Sequence, residues 1–158
     1  MFSDGINYNV YADDTKIYAR TNSPSDCENI QDAIDRFYAW TKALDLKLFV
    51  SKCLTMHCGR KNPRQTYHIN GRIIGETTSV KDPGVLISSS MNFTEHTRDV
   101  VLRANRRTNF ITRAFLVTDV DVYIQLFRTY ILPIIAYASP VWMPKNEGDK
   151  ELLQSVHI

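Results

Sequence analysis

The sequence lacks most of the features that mark secreted or membrane-spanning proteins. It has only three cysteines, Cys27, Cys53 and Cys58, so any pairing within the chain leaves one thiol over. Its first residues do not combine a basic segment with an apolar one, as a secretion signal requires. The most apolar stretch, residues 131–138, is short and is interrupted by Pro133, which argues against a membrane span. We therefore predict a reduced, intracellular protein of the cytoplasm or nucleus with no membrane partner.

The sequence also has little excess of charge of one sign and few residues at metal-binding spacing. The 19 lysines and arginines against 17 aspartates and glutamates give a net charge of +2, too little to indicate a polyanionic partner. No second pair of cysteines or histidines at zinc-binding spacing accompanies Cys53 and Cys58, so we expect no zinc site. The sequence does have 44% hydrophobic and 11% aromatic residues among its 158, enough for the core of one ordinary domain or two small ones.

The first part of the chain predicts a hairpin and a helix. Polar and apolar residues alternate over residues 7–19 around Asp13 and Asp14, which is typical of a β-hairpin. Ser25, followed three residues later by Glu28, predicts a capping box that opens a helix. The helix should bury one face, on which the 3.6-residue period places Ile30, Ala33, Ile34, Phe37, Thr41 and Leu44.

A strand-rich middle segment comes next. Strands are expected over residues 52–58, 65–69, 72–74 and 80–88. Asn70-Gly71, between the second and third of these, is the most favourable sequence for a two-residue hairpin turn. The chain up to residue 92 therefore predicts a hairpin, a helix and several antiparallel strands.

From residue 93 onward the pattern predicts helices. Thr94 is expected to cap a helix that runs to about Phe115, with apolar side chains on one side. A second helix should begin near Asp119 or Asp121 and end or kink at Pro133, because proline lacks the amide hydrogen. A last amphipathic helix is expected from residue 150 to the end of the sequence. Helical spacing assigns the following aromatic residues to the core: Phe127, Tyr130, Tyr137 and Trp142. Together these elements predict the α+β fold class.

Two adjacent carboxylates, Asp13 and Asp14, stand at the expected tip of the first hairpin, after the aromatic Tyr11 and the small Ala12. Nucleotidyl transfer uses two divalent ions roughly 3.5–4 Å apart, held by hard carboxylate oxygens. A tight turn can direct Asp13 toward such ions, and Ala12 leaves room for a primer end and an incoming nucleotide. For a bare Asp-Asp pair, however, ordinary turn chemistry is the commoner explanation.

Three further segments accompany that pair in order along the chain. They are Trp40 through Leu48 with Ser51-Lys52-Cys53 and Met56; Lys81-Asp82-Pro83-Gly84-Val85-Leu86-Ile87 with Phe93 and His96; and Leu126-Phe127-Arg128-Thr129-Tyr130-Ile131-Leu132-Pro133 with Tyr137-Ala138-Ser139 and Val141-Trp142. Together with Phe2-Ser3-Asp4 and Tyr11-Ala12-Asp13-Asp14-Thr15, they resemble the reverse transcriptases of LINE-type (non-LTR) retrotransposons. The resemblance implies that residues 1–92 are the C-terminal part of a polymerase palm and residues 93–158 an all-helical thumb, truncated at its C-terminus.

The resemblance also implies an activity and a metal site. The family copies an RNA template onto a DNA primer from deoxynucleoside triphosphates, with two Mg²⁺ ions at the site. Asp13 and Asp14 would be the metal ligands of the catalytic motif, with Tyr11 and Ala12 under the primer end. The family's fingers and first catalytic aspartate belong upstream of the matching part, and Asp4 cannot replace that aspartate because it leads into the same hairpin. This chain alone is therefore expected to be inactive.

Other segments would contact nucleotide and primer. The resemblance places Lys52 near the incoming triphosphate and Lys81 and Gly84 against the primer backbone, where glycine permits a close approach. The alternatives are a solvated lysine at a strand start and a plain turn. Two departures from the family affect local geometry: Phe49 stands where an asparagine is usual, and Pro83 where a leucine is usual.

The arginines after Thr94 are candidates for contacts to a nucleic-acid backbone. They are Arg98, Arg103, Arg106 and Arg107. A solvated helix face is the commoner explanation of such a run when it is considered without the family. Two functions therefore stay open: an RNA-directed DNA polymerase of which this is a part, and a non-catalytic retroelement remnant that at most binds nucleic acid.

Overall fold

A computed structural model describes residues 5–115 and 119–156. The chain forms two compact units, the first ending at Thr78 and the second beginning at Ser79. The expected boundary between palm and thumb, after residue 92, stays a prediction. By its contacts, the segment from residue 79 to residue 92 belongs to the second unit.

The first unit begins with the predicted hairpin. Strand β1 (Asn7–Tyr11) pairs antiparallel with β2 (Asp14–Tyr18), and Tyr11 lies opposite Asp14 at the tip. Because alternate residues of a strand face opposite sides, Ile17 packs toward the core of the unit while its neighbours along β2, Lys16 and Tyr18, are exposed. The hairpin prediction is confirmed.

Helix α1 (Pro24–Ala43) follows, and its capping box lies two residues earlier than predicted. The hydroxyl of Ser23 accepts from the backbone N–H of Asp26, and the Asp26 carboxylate accepts from the N–H groups of Asn22 and Ser23. The Ser25–Glu28 assignment was wrong because Pro24 suits the first helical position, so the cap must precede it. Hydrogen bonds from the Asn22 backbone and from Ser23 hold the pKa of Asp26 below its usual value.

The core of the first unit lies between α1 and the segments after it. Ile34 packs with Tyr67, Ile69 and Ile74, and partly buried apolar side chains surround them. Of the helix positions predicted to be inward, most are buried or partly buried, but Leu44 is largely exposed because the helix ends before it. Gln31 also ties α1 to the backbone of His68, accepting from its N–H and donating to its carbonyl oxygen.

The middle strands are shorter than predicted. The expected strand over residues 52–58 is a 3₁₀ turn (Val50–Lys52) followed by β3 (Leu54–Thr55), which pairs in parallel with β6 (Gly75–Glu76). The expectation of purely antiparallel strands was therefore wrong at this pair. The Asn70-Gly71 hairpin is confirmed, since β4 (His68–Ile69) and β5 (Arg72–Ile73) pair antiparallel across two residues with positive φ.

The second unit opens with a hairpin where one strand was predicted over residues 80–88. Strand β7 (Ser79–Asp82) turns through Pro83 and Gly84 into the antiparallel β8 (Val85–Ser88). The φ of Gly84 is +77°, and proline followed by such a glycine is the sequence signature of a type II turn. The single-strand prediction failed because it joined the apolar residues on both sides, Val80 and residues 85–87, and passed over the Pro83-Gly84 turn signal between them.

Five helices complete the described part of the second unit. They are α2 (Thr94–Ala114), α3 (Val120–Leu126), α4 (Leu132–Ala136), α5 (Ser139–Trp142) and α6 (Glu147–Gln154), with a π-helical turn (Phe127–Ile131) joining α3 to α4. Thr94 does not cap α2; its hydroxyl donates to the buried carboxylate of Asp149 on α6, at 2.7 Å. Helix α6 begins before residue 150 and ends at Gln154, so the expected helix through the last residue is too long.

Two small cores stabilise the second unit. One contains Val85, Val100 and Trp142, and the other contains Ala104, Ile111 and Ile131. Of the aromatic residues predicted to lie in the core, Trp142 is buried and Phe127 is partly buried. The prediction was wrong for Tyr130 and Tyr137, which are about half exposed.

The fold is thus a mixture of helices and short strands, compatible with the α+β class. Helices dominate from Thr94 onward, as the sequence indicates, while the strands are paired two by two. Among the helices of residues 5–115 and 119–156, none combines the length and apolar character needed to cross a membrane.

Candidate functional site

The tip of the β1–β2 hairpin carries the two acidic residues of the predicted motif. Tyr11 and Asp14 form the last cross-strand pair, so Ala12 and Asp13 make a two-residue turn. The φ of Ala12 is +53°, in the left-handed region that side chains with a Cβ seldom adopt. All four residues are exposed, so both carboxylates are accessible from solvent.

This arrangement offers hard oxygen ligands of the kind that Mg²⁺ prefers. Within the described ranges, no group of three or more histidine, cysteine, aspartate or glutamate side chains is placed to hold a metal ion. A pair of ions clamped for nucleotidyl transfer needs more protein ligands than two adjacent carboxylates supply. Asp13 and Asp14 alone therefore do not complete such a site.

Lys52, the predicted triphosphate contact, lies in the 3₁₀ turn and contacts an aromatic ring. Its ammonium nitrogen is 5.3 Å from the ring centroid of Phe49, and that of Lys47 is at the same distance. Phe49 thus holds two cations close to one ring. Both lysines are exposed, which leaves their charges available to an anion.

The β7–β8 hairpin holds the two residues expected to touch a primer, Lys81 in β7 and Gly84 in the turn. Lys81 is exposed on β7, opposite Leu86. The open side of Gly84 is already occupied, because a Cβ built there would lie 2.4 Å from the ring of Tyr137. The hydroxyl of Tyr137 also donates to the carbonyl oxygen of Pro83, at 3.0 Å. Gly84 therefore permits a close approach, and the group that approaches it is a side chain of the same unit.

His96, for which the sequence shows no partner, is buried at the start of α2 with 1% exposure. Its Nδ1 accepts from the N–H of Leu86 at 3.2 Å, and its ring meets that of Trp142 edge to face, with centroids 4.8 Å apart. Burial, followed by the nearby Arg103 charge, lowers the pKa of His96. The imidazole is consequently neutral at physiological pH, with Nδ1 free to accept.

The predicted arginines lie on helix α2, but they do not share one environment. Arg98, Arg106 and Arg107 are exposed, whereas the guanidinium of Arg103 is paired with the Asp99 carboxylate at 2.9 Å. From Val100 to the end of α2 the sequence has no acidic residue. The C-terminal half of the helix therefore presents positive charge on its solvent side, with the exposed Leu102 and Phe110 among the arginines.

Comparisons with known proteins add little to this geometry. No protein-family model matches the chain, and no solved structure matches it. A Caenorhabditis elegans protein described as "Uncharacterized protein B0403.1" is similar, with 27% identity over 75 residues that cover 48% of this chain. The match covers 38% of that relative's length. The name of the relative states no activity.

Proposed function

We propose that the chain is the part of an RNA-directed DNA polymerase, a reverse transcriptase of the LINE type, that carries the Asp-Asp motif of the palm and a helical thumb. The observation that carries the proposal is the position of Tyr11-Ala12-Asp13-Asp14 at the tip of a tight antiparallel hairpin. The three other matching segments, in the family's order, support it. An intracellular location in cytoplasm or nucleus belongs to the same proposal.

In this function Asp13 would hold Mg²⁺ and Asp14 would assist it. When bound, the ions activate the primer hydroxyl and stabilise the leaving pyrophosphate. Exposure of the hairpin tip lets a primer end reach it, and the small Ala12 keeps the approach open. Lys52, held against Phe49, would contribute positive charge toward the triphosphate of the incoming nucleotide. RNA template and DNA primer would be the macromolecular partners.

The proposal is tested by locating the end of the primer on the protein. A DNA primer ending in 4-thiothymidine, annealed to an RNA template, is irradiated with residues 1–158 in the presence of Mg²⁺. We expect the main adduct on the peptide that contains residues 11–14, because in the proposed site the primer end lies beside the Asp-Asp turn and its partial set of Mg²⁺ ligands. The Asp13→Asn, Asp14→Asn double variant should lose most of it.

The matched control removes two carboxylates elsewhere in the same unit. Asp32 and Asp35 are exposed on α1, so the Asp32→Asn, Asp35→Asn variant has the same change of net charge with the hairpin intact. Adducts that lie mainly on α2 and are insensitive to both double variants would contradict a polymerase site. We expect no primer extension by this chain alone; extension that Asp13→Ala abolishes would contradict that expectation of inactivity.

A second candidate function is a non-catalytic protein that binds nucleic acid. The observation that favours it is the arginine-bearing half of α2, which has no acidic residue among its positive charges. Phosphate contacts release counterions, so binding through this face would weaken steeply with salt. Binding of this kind needs no contribution from Asp13 or Asp14. The crosslinking experiment with the Asp13→Asn, Asp14→Asn variant therefore separates the two candidate functions.

The salt dependence of binding measures the contribution of individual arginines. For an RNA–DNA primer–template, we expect the Arg106→Gln, Arg107→Gln variant to reduce the slope of log affinity against log salt by about two units. Arg103→Gln should change the slope less, because Asp99 already neutralises that guanidinium. Fluorescence anisotropy over a series of salt concentrations gives the slopes. Equal slopes for wild type and the double variant would exclude this face from binding.

A further inference from the structure

The β7–β8 hairpin is attached to the helices of its unit by a closed set of side-chain contacts. Tyr137 donates to the Pro83 carbonyl oxygen, and the Trp142 indole N–H donates to the Tyr137 carbonyl oxygen at 2.7 Å. The Trp142 ring contacts His96, which accepts from Leu86 on the other strand. We call these four contacts the hairpin latch. The series of contacts starts at Pro83 in the turn of the hairpin and ends at Leu86 in its second strand.

The hairpin needs such support because it is a sheet of only two strands. An isolated two-stranded hairpin is marginally stable in water. Within β7 and β8 only Val85 is fully buried, in the core with Val100 and Trp142. The hairpin latch adds fixed points at the turn, through Pro83, and at the following strand, through Leu86.

We propose that Tyr137 and His96 are positioning residues, which hold the β7–β8 turn and Lys81 in the orientation that contacts nucleic acid. The inference rests on the proposed function, since it assigns the turn and Lys81 to the nucleic-acid surface. Neither Tyr137 nor His96 needs to touch the nucleic acid. Their effect passes through the backbone of Pro83 and Leu86.

The histidine makes the hairpin latch sensitive to pH. A proton on Nδ1 would turn an acceptor into a donor that faces the donor N–H of Leu86. The charged groups around the imidazole are Lys81 on β7 and Asp99 and Arg103 on α2, of which the two cations oppose protonation and Asp99 favours it. Because the pKa of His96 is lowered in the closed state, release of the hairpin takes up a proton. The hairpin latch is therefore fully formed above about pH 6.5 and weakens as the pH falls.

The test compares two tyrosine-to-phenylalanine variants of the same unit. Tyr137→Phe removes one hydroxyl and keeps the ring over Gly84, whereas Tyr130→Phe removes an exposed hydroxyl from the π-helical turn. For Tyr137→Phe we expect roughly 2- to 10-fold faster amide exchange of the hairpin and a similar loss of affinity for primer–template, as one hydrogen bond implies. Tyr130→Phe should change neither quantity.

A second variant isolates the histidine. In His96→Asn the side-chain oxygen can accept from Leu86 but cannot be protonated, so binding that weakens below pH 6.5 in wild type should become nearly independent of pH. His57→Gln, in the other unit, is the control and should retain the wild-type profile. The ¹⁵N shift of His96 Nδ1 reports its protonation directly, without nucleic acid.

The outcomes separate this inference from the function on which it rests. If wild type binds primer–template but Tyr137→Phe matches Tyr130→Phe in exchange and affinity, the positioning role is wrong and the proposed function stands. If exchange responds to Tyr137→Phe while wild type binds no primer–template at low salt, the proposed function fails, and the positioning role fails with it. A pH profile unchanged by His96→Asn would show that His96 is not the source of the pH dependence of binding.

Discussion

Replacement of Trp142 by alanine is expected to destabilise the second unit by about 3–5 kcal/mol. The side chain is 1% exposed and packs with Val85 and Val100, so its removal leaves a large cavity in a small core. The indole also donates to the Tyr137 carbonyl oxygen, which would lose its buried partner. Urea unfolding followed by near-UV circular dichroism measures the loss.

The second tryptophan of the chain is the matched control for that experiment. Trp40 is 53% exposed on α1 and stacks on Phe37, so Trp40→Ala should cost about 1 kcal/mol or less. Its removal also leaves Trp142 as the sole indole, which simplifies the fluorescence of the second unit. Equal losses for the two alanine variants would show that Trp142 is not in a core.

The Gly84→Ala substitution is expected to cost about 2–3 kcal/mol. A φ of +77° disfavours alanine by about 1–2 kcal/mol, and the new methyl group would displace the Tyr137 ring and its hydrogen bond to Pro83, worth about 1 kcal/mol more. Tyr137 is exposed enough to move aside, which keeps the cost from being larger. Thermal unfolding of the purified variant measures the effect.

Gly71 provides the control for Gly84. Its φ of +73° is nearly the same, but nothing lies within 4 Å of the position where its Cβ would be. Gly71→Ala should therefore show the conformational cost without the collision. In a Tyr137→Ala background, the destabilisation caused by Gly84→Ala should fall to that caused by Gly71→Ala. A double-mutant cycle detects this difference as coupling between Gly84 and Tyr137. Additive effects would mean that Tyr137 does not contact Gly84 in solution.

The elements that the sequence predicts well are those determined by neighbouring residues. Alternation around Asp13 and Asp14 and the period of the two long helices are local patterns, and the structure contains the hairpin, α1 and α2. The Asn70-Gly71 turn is also local, because positive φ at both positions suits these residue types. Pro83-Gly84 carries an equally local turn signature, and it was missed because the apolar residues on both sides were joined into one strand.

Contacts between distant residues are the part of the fold that the sequence could not supply. The parallel pairing of β3 with β6 depends on how the intervening segment returns, which no local pattern encodes. Tyr137 was assigned to the core from helical spacing, yet it is half exposed and reaches a turn 54 residues away. His96 likewise has partners on β8 and α5 that become visible only in the folded unit.

The candidate site shows the same division. The exposed position of Asp13 and Asp14 follows from a hairpin with a two-residue turn, which the sequence indicates. The pairing of Arg103 with Asp99 follows from helical spacing of four residues and could have been anticipated. The two lysines beside Phe49 could not, because the 3₁₀ turn that brings Lys52 back to the ring replaced an expected strand.

The π-helical turn between α3 and α4 sets the rotational phase of α4 relative to α3. A π-helical turn contains one residue more than an α-helical turn, and one residue corresponds to about 100° of rotation. Ile131 reaches a core at the end of this turn, and Ile134 and Ile135 in α4 pack against both cores of the unit. An uninterrupted α-helix through the same sequence would rotate these three side chains by about a quarter of a revolution relative to α3. The fold therefore depends more on the number of residues in this turn than on their identity. For the exposed Arg128 and Thr129, a deletion should disturb the packing of α4 more than a substitution.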